Sequence, residues 1–527
     1  MGTLSELEPK QVFRFFEEIT RIPHGSGNVG EISDYLAGFA RERGLKYVQD
    51  ELKNVIIMKE AAPGYENDPA VILQGHMDMV AVKKPDCDID MAKEGLHVAV
   101  RGDKVYAEGT SLGGDDGIAV AYALALLDSD TIKHPKLEII LTVDEEVGMD
   151  GARGIDLSML TGNRMINLDS EEEGIFLTSC AGGARVHCSL PLKMAECKGI
   201  AMKVTVGGLQ GGHSGGEIHK ERGNANCLFG RLLHRLTEQV PVCIRGIDGG
   251  LADNAIPRET AAVLVIEEGN REKFVEILRM VEAEVRIELA TKDPGFAIEA
   301  AEAGQGHFFC VTAEDTQKAA AFLCALPNGV QAMSADMPGL VETSLNLGIL
   351  KLEMCHSAAG AQKNGNCISG TTGDEKTGSG LTEEGDCGKT GCENGNARES
   401  CGLTAEFSVR SSVESAKKAL IDRLCAVTKL AGGSNTVTGD YPGWKYRKDS
   451  PLRDKMAALY REMYGKEPKV EAIHAGLECG ILGSKIQDLD CVSIGPDMSA
   501  IHTTEETLSI SSTNRVWEYL VRLLELH

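Results

Sequence analysis

The sequence predicts an α/β protein, a doubly wound and mostly parallel sheet interrupted by an α+β insert. Two observations predict it. Short, solidly aliphatic runs at 70–73, 137–143, 164–168 and 490–494 alternate with helical stretches, the pattern of strands buried on both faces. Between about 186 and 440 the strands lengthen and alternate, and the helices at 271–287 and 413–430 become amphipathic. At 527 residues one core is too small, so the expected organisation is 1–185, an insert at 186–440, and a return to the first unit at 441–527.

Taken in order, Val12, Phe15, Phe16 and Ile19 fall at helical spacing before a break at Pro23-His24-Gly25, and a second helix is expected over 29–43. Strands follow at 54–58 and 70–73, then a hairpin at 98–100 and 104–107 around Arg101-Gly102-Asp103. Gly113-Gly114-Asp115-Asp116-Gly117 precedes an almost wholly apolar helix at 118–127. The loop lacks the GxxxxGK[ST] spacing and any Lys, and its two carboxylates suit a cation rather than a phosphate. Residues 207–216 are too rich in Gly for a strand interior. The stretch 357–406 is Gly-rich, without aromatics and with few large aliphatics, and predicts a mobile loop; its Cys367, Cys387, Cys392 and Cys401 are too irregularly spaced for a metal site. Helices are expected at 451–464, 476–482 and 511–526, with strands at 469–474 and 490–494.

Composition narrows the function. Against 54 Lys+Arg stand 79 Asp+Glu, a net charge of −25, which argues against nucleic acid or anionic membrane partners. No run approaches the roughly 18 apolar residues of a membrane span, and the N-terminus lacks a signal-peptide pattern, so a cytoplasmic protein is expected. The 16 Cys show no zinc-finger spacing and read as reduced, buried thiols.

The aliphatic runs end in acid or His. His76-Met77-Asp78 follows one, Asp144-Glu145-Glu146 another, Asp169 a third, and His502 lies in the loop after the last. Open α/β sheets place their ligands at such strand ends. Two imidazoles and several carboxylates suit Zn²⁺, Co²⁺ or Mn²⁺. One ion would take His76 and Asp169, another Glu146 and His502, with Asp115 shared and Asp78 holding the far nitrogen of His76. A two-metal hydrolytic site also needs a carboxylate to take and return a proton, and Glu145 is the candidate.

These motifs, with Ser179-Cys180-Ala181-Gly182-Gly183, Gly211-Gly212-His213-Ser214-Gly215-Gly216, Asn254-Ala255-Ile256-Pro257, Phe407-Ser408-Val409-Arg410 and His474-Ala475-Gly476-Leu477-Glu478-Cys479-Gly480, resemble the M20 metallopeptidases over nearly the whole chain, and within them the aminoacyl-histidine dipeptidase branch. The resemblance implies a zinc-peptidase type fold with the insert as lid and dimerisation domain, two Zn²⁺ per chain (Co²⁺ or Mn²⁺ possible), and hydrolysis of unblocked dipeptides, including Xaa-His of the β-Ala-His type. It implies His76, Asp115, Glu146, Asp169 and His502 as ligands, with Glu145 and Asp78 catalytic. His213 would stabilise the oxyanion, from its own or a partner subunit, Arg410 would take the substrate carboxylate, and Asn254 would assist. The alternatives are an N-acyl amino acid deacylase on the same metals and a non-catalytic scaffold. Two departures stand out: Asp116 occupies a position where relatives often carry Asn, and the Gly-rich loop is long for the family.

Overall fold

In a computed structural model, residues 2–354 and 400–526 are described. The first sheet has eight strands in the order Lys46–Gln49, Val55–Lys59, Leu137–Thr142, Val71–His76, Arg164–Asn167, Asp490–Ser493, Ile175–Cys180, Lys469–Ile473. Its centre, from Leu137–Thr142 to Asp490–Ser493, is parallel, and the antiparallel pairings lie toward the edges. Val71–His76 and Leu137–Thr142 are buried along their whole length, which is why they read as runs and not as alternations.

Helices cover both faces. In Lys10–Thr20 the expected residues Val12, Phe15, Phe16 and Ile19 are all buried. Gly114–Asp128 is apolar all round and buried from Gly114 to Leu127, with Tyr122 stacked 6.0 Å from Trp517 of the last helix, Ile510–Leu524. Each Leu, Ile or Val it buries contributes about 1.5–3 kcal/mol. A Cβ at position 75 would lie 2.5 Å from Ala119 Cβ and from Asp116 Oδ2, so only Gly lets the Val71–His76 strand come this close to that helix.

The second sheet is antiparallel and is built on Gly182–Gly207, a strand of 26 residues. One half of it pairs with Ser400–Ser411 and Ser434–Tyr441, the other with Thr260–Ile266 and Ala297–Val311. Phe229, Ile277, Leu323 and Leu424 bring four helices onto this sheet, in a core separate from those of the first. The expected α+β insert is therefore an antiparallel sheet with its own core. Most of the stretch expected to be a mobile loop, with Cys367, Cys387 and Cys392, lies outside the described residues. Its end at 400–406 is strand, with Cys401, Leu403 and Ala405 buried against Gly182–Gly207; alternation inside a Gly-rich context masked it. No helix among the described residues is long and apolar enough to cross a membrane.

Candidate metal centre

The acid and imidazole side chains converge beyond the C-terminal ends of the parallel strands. His76 ends its strand, with its ring buried. Its Nδ1 lies 3.0 Å from the backbone carbonyl of Asp78 and 3.5 Å from Asp78 Oδ1. Both partners accept, so Nδ1 carries the proton and the Nε2 lone pair faces the cluster. Asp78 also accepts from Ser26 Oγ (2.8 Å) and from the backbone N–H of Glu145 (3.1 Å), tying the two strand ends together.

Asp115 stands between the two imidazoles. Its Oδ1 is 3.2 Å from His76 Nε2 and its Oδ2 is 3.1 Å from His502 Nε2. Asp169 Oδ1 approaches His76 Nε2 at 3.6 Å, and Glu146 Oε1 approaches His502 Nε2 at 2.9 Å. Asp169 thus neighbours His76 and Glu146 neighbours His502, with Asp115 between the two imidazoles. Donor atoms of Glu145, Glu146 and His76 lie within 4.8 Å of one another, as do those of Asp115, Glu146 and His502. A third such group adds Asp116 to His76 and Asp169, although sequence reasoning left Asp116 outside the ligand set. Asp116 is fully buried; its Oδ2 accepts the backbone N–H of His76 at 3.2 Å, and its Oδ1 has no hydrogen-bond partner.

Burial, with repulsion from the neighbouring acids, holds Asp116 and Glu145 well above the usual carboxylate range. Burial likewise pushes Asp169 up to about 7, against the pull of His76. Two imidazoles facing five acids within a few ångströms form a donor set that fits a pair of divalent cations.

Two acids that sequence reasoning did not single out brace this centre. Glu506 accepts backbone N–H bonds from Leu112 (2.8 Å), Gly113 (3.2 Å) and Gly114 (2.8 Å). The loop that resembles a phosphate cradle is thus filled by a carboxylate of the chain itself, which aims Asp115. Glu478 is fully buried and accepts from Gln74 Nε2 (2.6 Å) and Thr142 Oγ1 (2.5 Å), while Asn167 donates to Gln74 Oε1 (2.6 Å). Three strands that end in site residues are cross-linked just below the cluster. His502 sits on a loop between Met498–Ser499 and Thr507–Ser509, which complete a small sheet with the hairpin Val98–Arg101 and Lys104–Ala107.

Removing the Glu506 carboxylate leaves the N–H groups of Leu112, Gly113, Gly114 and, at 3.5 Å, Asp115 without their acceptor, each worth about 1–3 kcal/mol when unsatisfied. Glu506→Ala is expected to lower stability by at least ~2 kcal/mol in denaturant unfolding and to weaken metal retention together with it. Unchanged stability would show that the loop holds its shape unaided.

A cleft of about 290 Å³ opens beside the centre, lined by Glu145, Glu146, Asn254 and Arg410 among others. Asn254 also lines the adjoining cleft that contains His213. His213 Nδ1 accepts the backbone N–H groups of Gly216 (3.0 Å) and Gly215 (3.3 Å), so the neutral ring carries its proton on Nε2. Burial and the nearby Arg410 charge lower the His213 pKa and keep that form at neutral pH. A Cβ at Gly215 would lie 3.0 Å from His213 Cε1 and 3.3 Å from Arg410 Cζ, so the two side chains meet across this glycine. His474 joins them: burial and Arg410 bring it down to about 3, and its Nε2 is 2.7 Å from Ser344 Oγ.

Residues 72–526 match the model of peptidase family M20/M25/M40. The chain is 33% identical to the cytosol non-specific dipeptidase of Escherichia coli over 100% of its own length and 99% of that protein. Its structure superposes on that of the aminoacylhistidine dipeptidase from Vibrio alginolyticus with a TM-score of 0.84 and 33% identity, covering 99% of this chain and 98% of that one. The aminopeptidase PepT of Bacillus cereus, 14% identical with a TM-score of 0.50 over 98% of both chains, shares the fold alone. The chain belongs to peptidase family M20/M25/M40, in the branch of the cytosol non-specific and aminoacylhistidine dipeptidases.

Proposed function

We propose that this chain is a zinc dipeptidase that hydrolyses unblocked dipeptides, Xaa-His of the β-Ala-His type among them. The observation that carries the reading is a single cleft lined by both the acidic pair Glu145-Glu146 and Arg410. A ligand spanning it presents a scissile carbonyl to the acids and a free carboxylate to the guanidinium. His76, Asp115, Glu146, Asp169 and His502 hold two ions, which when bound supply Lewis acidity and an activated water. Glu145 takes the proton of the attacking water and returns it to the leaving amine. His213 donates its Nε2–H to the developing oxyanion, the tautomer its two backbone partners select. Asp78 orients His76, and Asn254 lines the same cleft.

The insert serves as lid and, in a homodimer, as the contact between subunits; sedimentation of the purified protein as a monomer would remove that part of the reading. The relative named a cytosol dipeptidase supports a cytoplasmic protein, which cell fractionation checks. The central experiment assays purified protein on β-Ala-His, on α-dipeptides and on an N-acetyl amino acid, with and without chelator. Dipeptides should be cleaved and chelation should abolish turnover; hydrolysis of the N-acetyl amino acid alone would make the chain a deacylase.

Arg410→Ala separates binding from chemistry. A charged hydrogen bond to the carboxylate is worth about 1.5–3 kcal/mol, so kcat/KM on dipeptides should fall roughly 10- to 150-fold. A dipeptide amide, which lacks that carboxylate, should be cleaved equally by both forms. Equal losses on both substrates would assign Arg410 to the fold of the cleft.

A further inference from the structure

Away from the acidic centre, three cysteines distant in sequence meet on the insert's sheet. Cys197 lies on Gly182–Gly207, Cys243 on Val242–Gly249 and Cys310 on Ala297–Val311. Their sulfurs lie within 4.8 Å of one another, with Cys197 Sγ 3.3 Å from Cys243 Sγ. The register explains the meeting. Cys243 stands opposite Val265, Val265 opposite Ala201, and Cys197 opposite Phe308, so the thiols edge one small apolar cluster. A Cβ at Gly199 would lie 2.2 Å from the Ile266 carbonyl oxygen, so only Gly allows the strand to pass this close between Cys197 and Ala201. Cys310 is fully buried, while Cys197 and Cys243 are part-exposed.

We propose that Cys197, Cys243 and Cys310 form a second metal site, taking one thiophilic d¹⁰ cation through three sulfurs. Three thiolates around one ion at about 2.3 Å stand roughly 3.8–4.0 Å apart, so Cys197 Sγ and Cys243 Sγ, now 3.3 Å apart, would separate by somewhat over half an ångström. Among the described residues no His, Asp or Glu atom joins this group, so the donor set is sulfur alone and selects soft ions over those the acidic centre holds. The two part-exposed sulfurs give the ion an entry path. Each sulfur that ligates releases its proton to solvent.

The test uses Cd²⁺ on the reduced, full-length protein and reads the ultraviolet sulfur-to-cadmium charge-transfer band, to which oxygen and nitrogen ligands at the acidic centre contribute nothing. One equivalent per chain is expected to give the band, and Cys243→Ser or Cys197→Ser, both at part-exposed positions, to remove it while dipeptide turnover is unchanged. No band in the wild type overturns the site. A band that survives both substitutions places the sulfur ligands elsewhere, for example at Cys479 and Cys491, 3.7 Å apart, and also overturns it. So does a thiol titration showing Cys197 and Cys243 already joined in a disulfide.

Discussion

Asp115→Ala is expected to release both ions and reduce dipeptide turnover to background while leaving the chain folded. The two oxygens of this carboxylate face different imidazoles, His76 and His502, so one substitution strips a ligand from each ion. Magnitudes separate it from its neighbours. Losing a partner that only orients a ligand costs about 10–100-fold in metal affinity or activity, which is the range expected for Asp78→Asn. Losing a ligand common to both ions exceeds that range. The fold should survive because the Asp115 charge pushes the neighbouring Asp116 and Asp169 carboxyls up, while the two imidazoles that hold Asp115 keep Asp169 and Glu146 as other partners. Removing its charge relieves Asp116 and Asp169 but gives up its own attraction to His76 and His502, two opposed changes that leave the net effect on stability small. The checks are elemental analysis and thermal unfolding in the metal-free state. Two ions retained by the variant would sink the shared-ligand assignment.

How much of this was legible in the sequence depends on how local the signal is. His76, Glu145, Glu146 and Asp169 were legible because each directly follows a buried aliphatic run, and parallel strands deliver their ends to one edge of the sheet. Glu506 was not, because its partners at Leu112–Gly114 lie nearly 400 residues away and a carboxylate after a turn carries no local mark. Glu478 stood inside a motif that was read, yet its role depends on Gln74 across 404 residues. The helix beginning at Gly114 was expected from its apolar run, but Asp115 and Asp116 keep non-helical backbone angles, which is how a first turn can point two carboxylates at a metal centre. Strand 400–406 was hidden by the low-complexity stretch before it, and the three-thiol cluster by separations that fit no finger spacing. Periodicity reports which face is buried, not what that face meets.

Glu145 and Glu146 should give opposite results from the same chemical change. Both precede Val147 on one short turn, entered through Asp144 with a left-handed φ of 56°. The two side chains share His76 as a neighbour, but only Glu146 also reaches His502. Glu146 reaches His502 at 2.9 Å, within the ligand group that includes Asp115. Glu145 has its backbone N–H tied to Asp78, lines the cleft with Glu146 and Arg410, and is absent from the group that holds Asp115 and His502. Glu145→Gln keeps the volume but cannot take a proton from water, so metal content and melting temperature should hold while kcat falls at least the ~10²–10⁴-fold that general acid–base groups supply. Glu146→Gln keeps a neutral oxygen donor in place of an anionic one, so metal occupancy should drop and activity should return in part with excess metal. The pairing makes the test decisive, since the same isosteric change is made at both positions. Metal loss in Glu145→Gln with full metal in Glu146→Gln would exchange the two roles. Full metal and near-normal kcat in both variants would end the hydrolase reading of this acidic pair.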